Sequence, residues 1–318
     1  MHLTLRRAFA VLLVLSSLLC LLSCQMPNAR PDDATERIVL TDALGRRVNL
    51  PKHPERVAAL LGSFADVWRL AGGTLCAAPH DAAEDFDIDM SGMTDLGGAH
   101  SPDLELLIAA NPDLVLASAS TSSNVALLDT LERLGMTVVY FDVDCFKDYL
   151  YMLDVCTALT ERRDLYEESG VALRTRIDTL ERTAADDGRT NDERTVLLLR
   201  ASASHVRAKG SSGTILGEML HDLGCINLAD ANASLLDDLS LESIIRQQPY
   251  HIFIVTMGDD TEAARQSITK MMEENPAWYG LEAVKGGRVH YMDKHLYNLK
   301  PNARWAYAYE ELYEILAP

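Results

Sequence analysis

The sequence predicts an α/β protein built as two lobes with parallel sheets, joined by a long helical segment. Three observations predict it. Short apolar runs of strand type alternate with segments of helical periodicity, the pattern of a parallel sheet covered by helices. The chain has 318 residues, beyond the size at which one core usually keeps growing. And one unit occurs twice: "LELLIAANPDLVLAS" at 104–118 returns as "LESIIRQQPYHIFIV" at 241–255. Leu104, Glu105 and Pro112 match Leu241, Glu242 and Pro249 at one constant offset. Each copy reads as a short helix stopped by proline and followed by a strand.

The elements follow in order. "RIVLTDALGRRVNLP" alternates as a hairpin, with turn chemistry from Asp42 to Gly45. "RVAALLG" is a strand, "FADVWRLAGG" a helix closed by glycine, and "DLVLAS" and "TVVYFDV" are further strands. Between the last two, Val125, Leu128 and Leu131 fall at helical spacing ahead of Gly135. These make an N-terminal lobe over 37–145. One long helical stretch over 146–185 follows, with Leu173, Ile177 and Leu180 on one face, until "AADDGRTNDER" breaks it. A second lobe over 194–318 repeats the plan: strand "TVLLLRAS", helices "TILGEMLHDLG" and "LESIIRQQ", strands "HIFIVTM" and "RVHYMD", and a closing helix "ARWAYAYEELYEIL".

The N-terminus has a different character. Arg6 and Arg7 precede an apolar stretch from Ala8 to Leu22, too short and too rich in small residues for a membrane span, so 1–23 reads as an export signal. "LLSC" resembles the lipobox of bacterial lipoproteins, which implies a diacylglyceryl group on Cys24. The polar, proline-bearing segment 24–36 reads as a flexible tether. The expected location is outside the cell membrane, lipid-anchored to its outer face, or on the periplasmic side in a host with two membranes. A net charge of −18 without a basic stripe argues against nucleic acid as a partner. Cys76, Cys145, Cys156 and Cys225 form neither a CxxC pair nor a zinc pattern and read as separate core residues, although export permits disulfides.

"LTDALGRRVNLPKHPERVAAL", "SPDLELLIAANPDLVLAS" and "LSLESIIRQQPYHIFIVT" follow the order and spacing of the helical-backbone substrate-binding proteins of ABC importers, and the mature chain resembles them over essentially its whole length. Members of that family bind ferric siderophores, haem or cobalamin. The resemblance implies two Rossmann-like lobes, one rigid connecting helix, a cargo cleft between the lobes and limited hinge closure. It implies a small metal chelate as cargo, an ABC permease dimer with its ATPase subunits as partner, and a monomer with no cofactor beyond the iron or cobalt its cargo carries. In the family one glutamate per lobe docks onto permease arginines, and the match falls on Glu105 and Glu242. Ser101-Pro102 and Asp238-Leu239 are expected to cap these helices, so the glutamates also complement the helix dipoles, an effect of about 0.3–1 kcal/mol each.

A cargo must sit where strands end and loops of the two lobes face each other. In lobe 1 those loops hold Phe64 and His80; in lobe 2 they hold Arg200, His205, Arg207, Lys209, His295, Tyr297 and Lys300. So many cations in an acidic protein suit an anionic cargo. His80, His205, His295 and Tyr297 are candidates for an axial haem ligand. "KGSSGT" lacks the ending of a nucleotide-binding loop, yet a helix N-terminus can hold an anion. "DFDIDMSG" departs from a calcium loop and reads as acidic surface. No resident metal site is expected. A zinc or manganese receptor of a related class, and a solute sensor without transport, are the alternatives. No hydrolase, metalloprotease or nucleotide-hydrolysing motif marks an enzyme.

Overall fold

The structure is a computed structural model that describes residues 37–232, 235–236, 239–258 and 260–318. The export signal 1–23, Cys24, the tether 24–36 and Asp238 lie outside the described residues. Residues 38–318 make one compact unit.

The chain opens with the hairpin β1 (Arg37–Thr41) and β2 (Arg47–Pro51). Asp42 locks its turn by accepting hydrogen bonds from the Leu44 and Arg46 backbone and from the Arg46 guanidinium. Lobe 1 continues with β3 (Val57–Ala59), α1 (Gly62–Leu70), β4 (Leu75–Ala78), α2 (Asp81–Phe86), β5 (Thr94–Asp95), α3 (Leu104–Ala110), β6 (Leu114–Ser118), α4 (Ser122–Ala126), α5 (Leu128–Arg133) and β7 (Thr137–Phe141). The connector holds α6 (Phe146–Thr160), α7 (Arg163–Tyr166), a π-turn (Glu167–Val171) and α8 (Ala172–Ala185). Lobe 2 holds β8 (Thr195–Ala201), β9 (Val206–Lys209), α9 (Ile215–Asp222), β10 (Ile226–Asn227), α10 (Leu241–Gln247), β11 (His251–Thr256), α11 (Thr261–Glu274), α12 (Glu282–Lys285), β12 (Val289–Met292), α13 (Lys294–Tyr297) and the terminal α14 (Trp305–Leu316).

The two sheets share one strand order. Lobe 1 runs β5-β4-β3-β6-β7, and lobe 2 runs β10-β8-β11-β12 with β9 paired to β8. Without the additions β5 and β9, both read second, first, third, fourth, and every pair in that common frame is parallel. The central strands β6 and β11 are buried on both faces, as their unbroken apolar sequence requires.

The connector differs from the single helix expected. Glu161 adopts a left-handed conformation (φ 56°) and ends α6, and the chain restarts through α7 and the π-turn before α8. Lys52 and His53 hold the Glu161 carboxylate at that corner. The largest core cluster nevertheless runs unbroken from lobe 1 (Phe64, Trp68, Phe141) through the connector (Tyr149, Leu153, Ile177) into lobe 2 (Leu198, Phe253) and α14 (Trp305, Tyr309). Trp305 packs edge-on against Phe146 with centroids 5.9 Å apart. Separate clusters fill the outer layer of each lobe. A shared core of this kind limits how far the lobes can part.

Among the described residues the four cysteines are free: Cys156 and Cys225 are buried, Cys76 and Cys145 half-buried. No described helix is long and apolar enough to cross a membrane.

Candidate functional site

In both lobes the loops that follow the strands' C-terminal ends face the other lobe. From lobe 1 come Ser63 and Asp66 after β3, Asp81 and Asp85 after β4, and Asp142 and Asp144 after β7. From lobe 2 come Arg200 at the end of β8 and, after β12, Lys294, His295, Lys300 and Asn302. Asn302, fully buried and left-handed (φ 51°), donates through Nδ2 to Ser63 O and Asp66 Oδ2, both at 2.9 Å. Asp85 Oδ1 lies 3.2 Å from Lys294 Nζ and 3.1 Å from His295 Nε2. Gly62, the first residue of α1, lies so close to α2 that a Cβ would sit 2.7 Å from Ala82 N, which lets Gly62 N–H donate to Asp81 at 3.1 Å.

The lobe 2 cations converge. The β8–β9 ladder sets Arg200 directly opposite Arg207 and Leu198 opposite Lys209, so Arg200, Arg207 and Lys209 project from one face. A cavity of about 730 Å³ opens beside Arg200 and Lys209 at the N-terminus of α9. Burial, with Arg200 and Arg207 alongside, pushes the Lys209 ammonium below its ordinary pKa. Burial also lowers the pKa of Arg200 and of Lys300, while Asp144 across the cleft works against both shifts. The Arg200 Nε is buried without a partner among the described residues. Asp144 is itself pushed up by burial and by Asp142. The cleft is thus bipolar, with acids on lobe 1 and cations on lobe 2.

The "KGSSGT" loop is occupied by the protein itself. Asp230 accepts from Ser211 N–H and from Ser211 Oγ, both at 2.7 Å, and Thr214 caps α9 through Gly217 N. Asp230 therefore stands where a bound anion could have used the loop's N–H groups.

Several expected cargo contacts lie elsewhere. Phe64 is buried in the core, edge-on to Phe141. Tyr297 is buried and spends its hydroxyl on Ala308 O. Both carry ring bulk that the shared core absorbs, so neither presents a surface to the cleft. Both His295 ring nitrogens are engaged, Nε2 with Asp85 and Nδ1 with Asp293. His205 stands at the exposed tip of the β8–β9 hairpin with Nδ1 3.0 Å from two serine hydroxyls. His80 is exposed ahead of α2. The interlobe residues Asn302 and Asp85 carried no distinguishing sequence signal; Asp85 looked like surface acid because its partners are 209 and 210 positions away.

The repeated helices match in length, in cap position and in how they end. Asp103 caps α3 through Glu105 N and Leu106 N, and Ser240 caps α10 through Ser243 N. The caps are thus Asp103 and Ser240, not Ser101 and Asp238, and Pro102 precedes the helix instead of opening it. Both short side-chain acceptors lie immediately before the helix, where they reach its free N–H groups. Asn111 (φ 46°) and Gln248 (φ 45°) end the two helices in the same left-handed turn. Glu105 and Glu242 are exposed in the first turn of each. Because each helix descends to the start of its strand, each glutamate sits at the end of the sheet that carries the cleft loops. Ile108 and Ile245, one turn on, are equally exposed at 38%. One difference separates the copies: Arg246 pairs with Glu242 at 2.9 Å, whereas Ala109 occupies the equivalent place beside Glu105.

Residues 57–296 match the family described as periplasmic binding protein. The chain is 21% identical over 310 residues to YhfQ of Bacillus subtilis (strain 168), named as a candidate ABC transporter substrate-binding lipoprotein, covering 93% of each chain. It is 24% identical over 246 residues to the Fe(3+)-citrate-binding protein YfmC of the same organism, covering 76% of this chain and 74% of YfmC. Among solved structures, Staphylococcus aureus SirA complexed with staphyloferrin B superposes with a TM-score of 0.68 at 21% identity, covering 88% of this chain and 98% of SirA. The repeated lobes, the cleft between their strand ends and the match over most of the chain agree, and the chain belongs to the periplasmic binding protein family.

Proposed function

We propose that this chain is the substrate-binding component of an ABC importer and that its cargo is an anionic metal chelate of the ferric-siderophore type. The cargo's negative side would rest on Arg200, Arg207, Lys209 and Lys300. The observation that carries this reading is the cross-strand pair Arg200–Arg207. Like charges directly opposite on a ladder destabilise it by roughly 0.2–1 kcal/mol, and among the described residues no carboxylate pairs with either arginine. A bound anion relieves that repulsion and gains charge-assisted hydrogen bonds. The ferric citrate named for one relative and the staphyloferrin B bound to SirA are of this chemical class.

Glu105 and Glu242 are read as the two points that dock on permease arginines, and Cys24 as the lipid anchor. The relatives are named for binding, which fits a receptor that performs no catalysis. A bare zinc or manganese cargo finds less support, because no group of three or more His, Cys, Asp or Glu among the described residues could hold an ion. The test is a titration with ferric citrate, ferric staphyloferrin B, haem, cobalamin and zinc, followed by tryptophan quenching. Binding of an anionic ferric chelate that weakens with added salt is expected. Tight zinc binding with no chelate binding would overturn the reading. Charge reversal at Glu105 and Glu242 should abolish uptake and spare affinity; full uptake would favour the sensor.

A further inference from the structure

The two flanks of the cleft are built alike and joined differently. The strand order relates the end of β7 in lobe 1 to the end of β12 in lobe 2. At the β7 flank, Asp142 and Asp144 face Arg200 and Lys300 with no ion pair between them among the described residues. At the β12 flank, the corresponding residues reach across and bond. Asp85 Oδ1, on α2 of lobe 1, takes both Lys294 Nζ and His295 Nε2 of lobe 2. The His295 ring is held from behind by Asp293 Oδ1 at 3.0 Å, and Asp293 also caps α13 through His295 N at 2.8 Å.

We propose that Asp85 is a latch that holds the lobes together across this flank of the cleft and must release before they part as far as their shared core allows. The proposal deepens the reading of the cleft as the cargo site and adds the residue that regulates its opening. Three features separate it from an ordinary surface pair. The side chains are only 18% (Asp85), 24% (Lys294) and 33% (His295) exposed, so water screens them less than the fully exposed pairs that contribute little. The carboxylate bridges two side chains, Lys294 and His295, so both contacts must be released together. And the partners are prepositioned, His295 by Asp293 and Asp85 by the left-handed Asp87 that ends α2 (φ 52°), which removes part of the ordering cost. A cavity of about 410 Å³ lined by Asp66, Glu84, Asp85, His295 and Arg304 lies against the latch, giving it room to release without repacking the core. Asn302, buried nearby, is the fixed peg against which that movement would turn.

Hydrogen–deuterium exchange on the cargo-free protein tests this without cargo or permease, so its outcome is independent of which chelate is carried. Asp85→Asn should speed exchange about fivefold in α2 and in α13 together, because opening exposes both. Lys294→Met/His295→Gln should give the same pattern, and adding Asp85→Asn to it should add nothing. Faster exchange confined to α2, unchanged exchange in both helices, or additive effects in the combined variant would overturn the latch. Should a variant fail to fold, the wild type supplies the reading: raising salt to about 1 M should speed exchange in α2 and α13 in parallel, and no response would overturn the proposal.

Discussion

Lobe 1 and lobe 2 have the same skeleton and opposite cleft walls. Strand order recurs, and the helix caps, left-handed helix ends and the proline that follows recur at one offset. Yet lobe 1 brings Asp142, Asp144 and Asp85 to the cleft, and lobe 2 brings Arg200, Lys209, Lys294 and Lys300. The lesson is a division of labour. The buried pattern that makes strands and helices is under packing constraint and stays alike, whereas residues at strand ends are free to diverge and carry the chemistry.

Acid should break the resemblance most strongly. Lobe 2 begins β11 with buried His251, whose Nδ1 lies 2.9 Å from His290 Nε2, where lobe 1 has Leu114 at the start of β6. Burial, then His290 and Arg288, lower the His251 pKa to about 4. The unfolded chain takes up this proton first, near pH 6.5, so stability is full above that pH and falls as pH drops toward 4. The loss is roughly 3 kcal/mol at most. Urea titrations across this range should show a steeper acid dependence than those of His251→Gln, and hydrogen exchange should place the early opening in lobe 2. An equal slope would remove the contrast.

Asn302→Ala comes next. It removes both Nδ2 bonds, leaving Asp66 with Arg69 on Oδ1 but without its donor on Oδ2, and puts alanine in a left-handed conformation, a loss of about 2–3 kcal/mol by chemical denaturation. Smaller still is Arg200→Gln, which removes one of the cations proposed to hold the cargo. Affinity for a ferric citrate chelate should fall about tenfold and lose part of its salt dependence, with the melting temperature nearly unchanged. The smallest effect distinguishes the two exposed glutamates. Arg246→Ala frees Glu242 and makes lobe 2 resemble lobe 1 there, at a cost of about 0.3–0.5 kcal/mol or less in thermal stability. Charge reversal at Glu105 and at Glu242 should then impair uptake equally, where in the wild type Glu105, with no ion pair among the described residues, should matter more.

Much of the scaffold was legible in the sequence. Apolar runs separated by helical periodicity predicted the parallel sheets, and the repeated Leu-Glu…Pro unit located α3–β6 and α10–β11. The lobe 2 cations were legible as a local excess, since Arg200, Arg207 and Lys209 lie within one hairpin. What was not legible was anything set by contacts distant in the chain. Phe64 and Tyr297 looked like cargo contacts because they sit in loops, and only packing against Phe141 and Ala308 assigns them to the interior. In the sequence His295 reads as a cargo contact and Asp85 as acidic surface, and only the meeting of the lobes pairs them. The break at Glu161 was hidden because charged residues at 161–164 suit a solvated helix as well as a corner.

The left-handed ends at Asn111 and Gln248 have a metric consequence. Each fixes the number of residues between an exposed glutamate and the strand below it, so each copy is a spacer of set length and set phase. One residue inserted between Glu105 and Pro112 would lift the carboxylate by about 1.5 Å and swing it by about 100° around the helix. Its counterpart at Glu242 would not follow. Two carboxylates presented in the same phase become two presented out of phase, and any surface that grips both at once would have to let go of one.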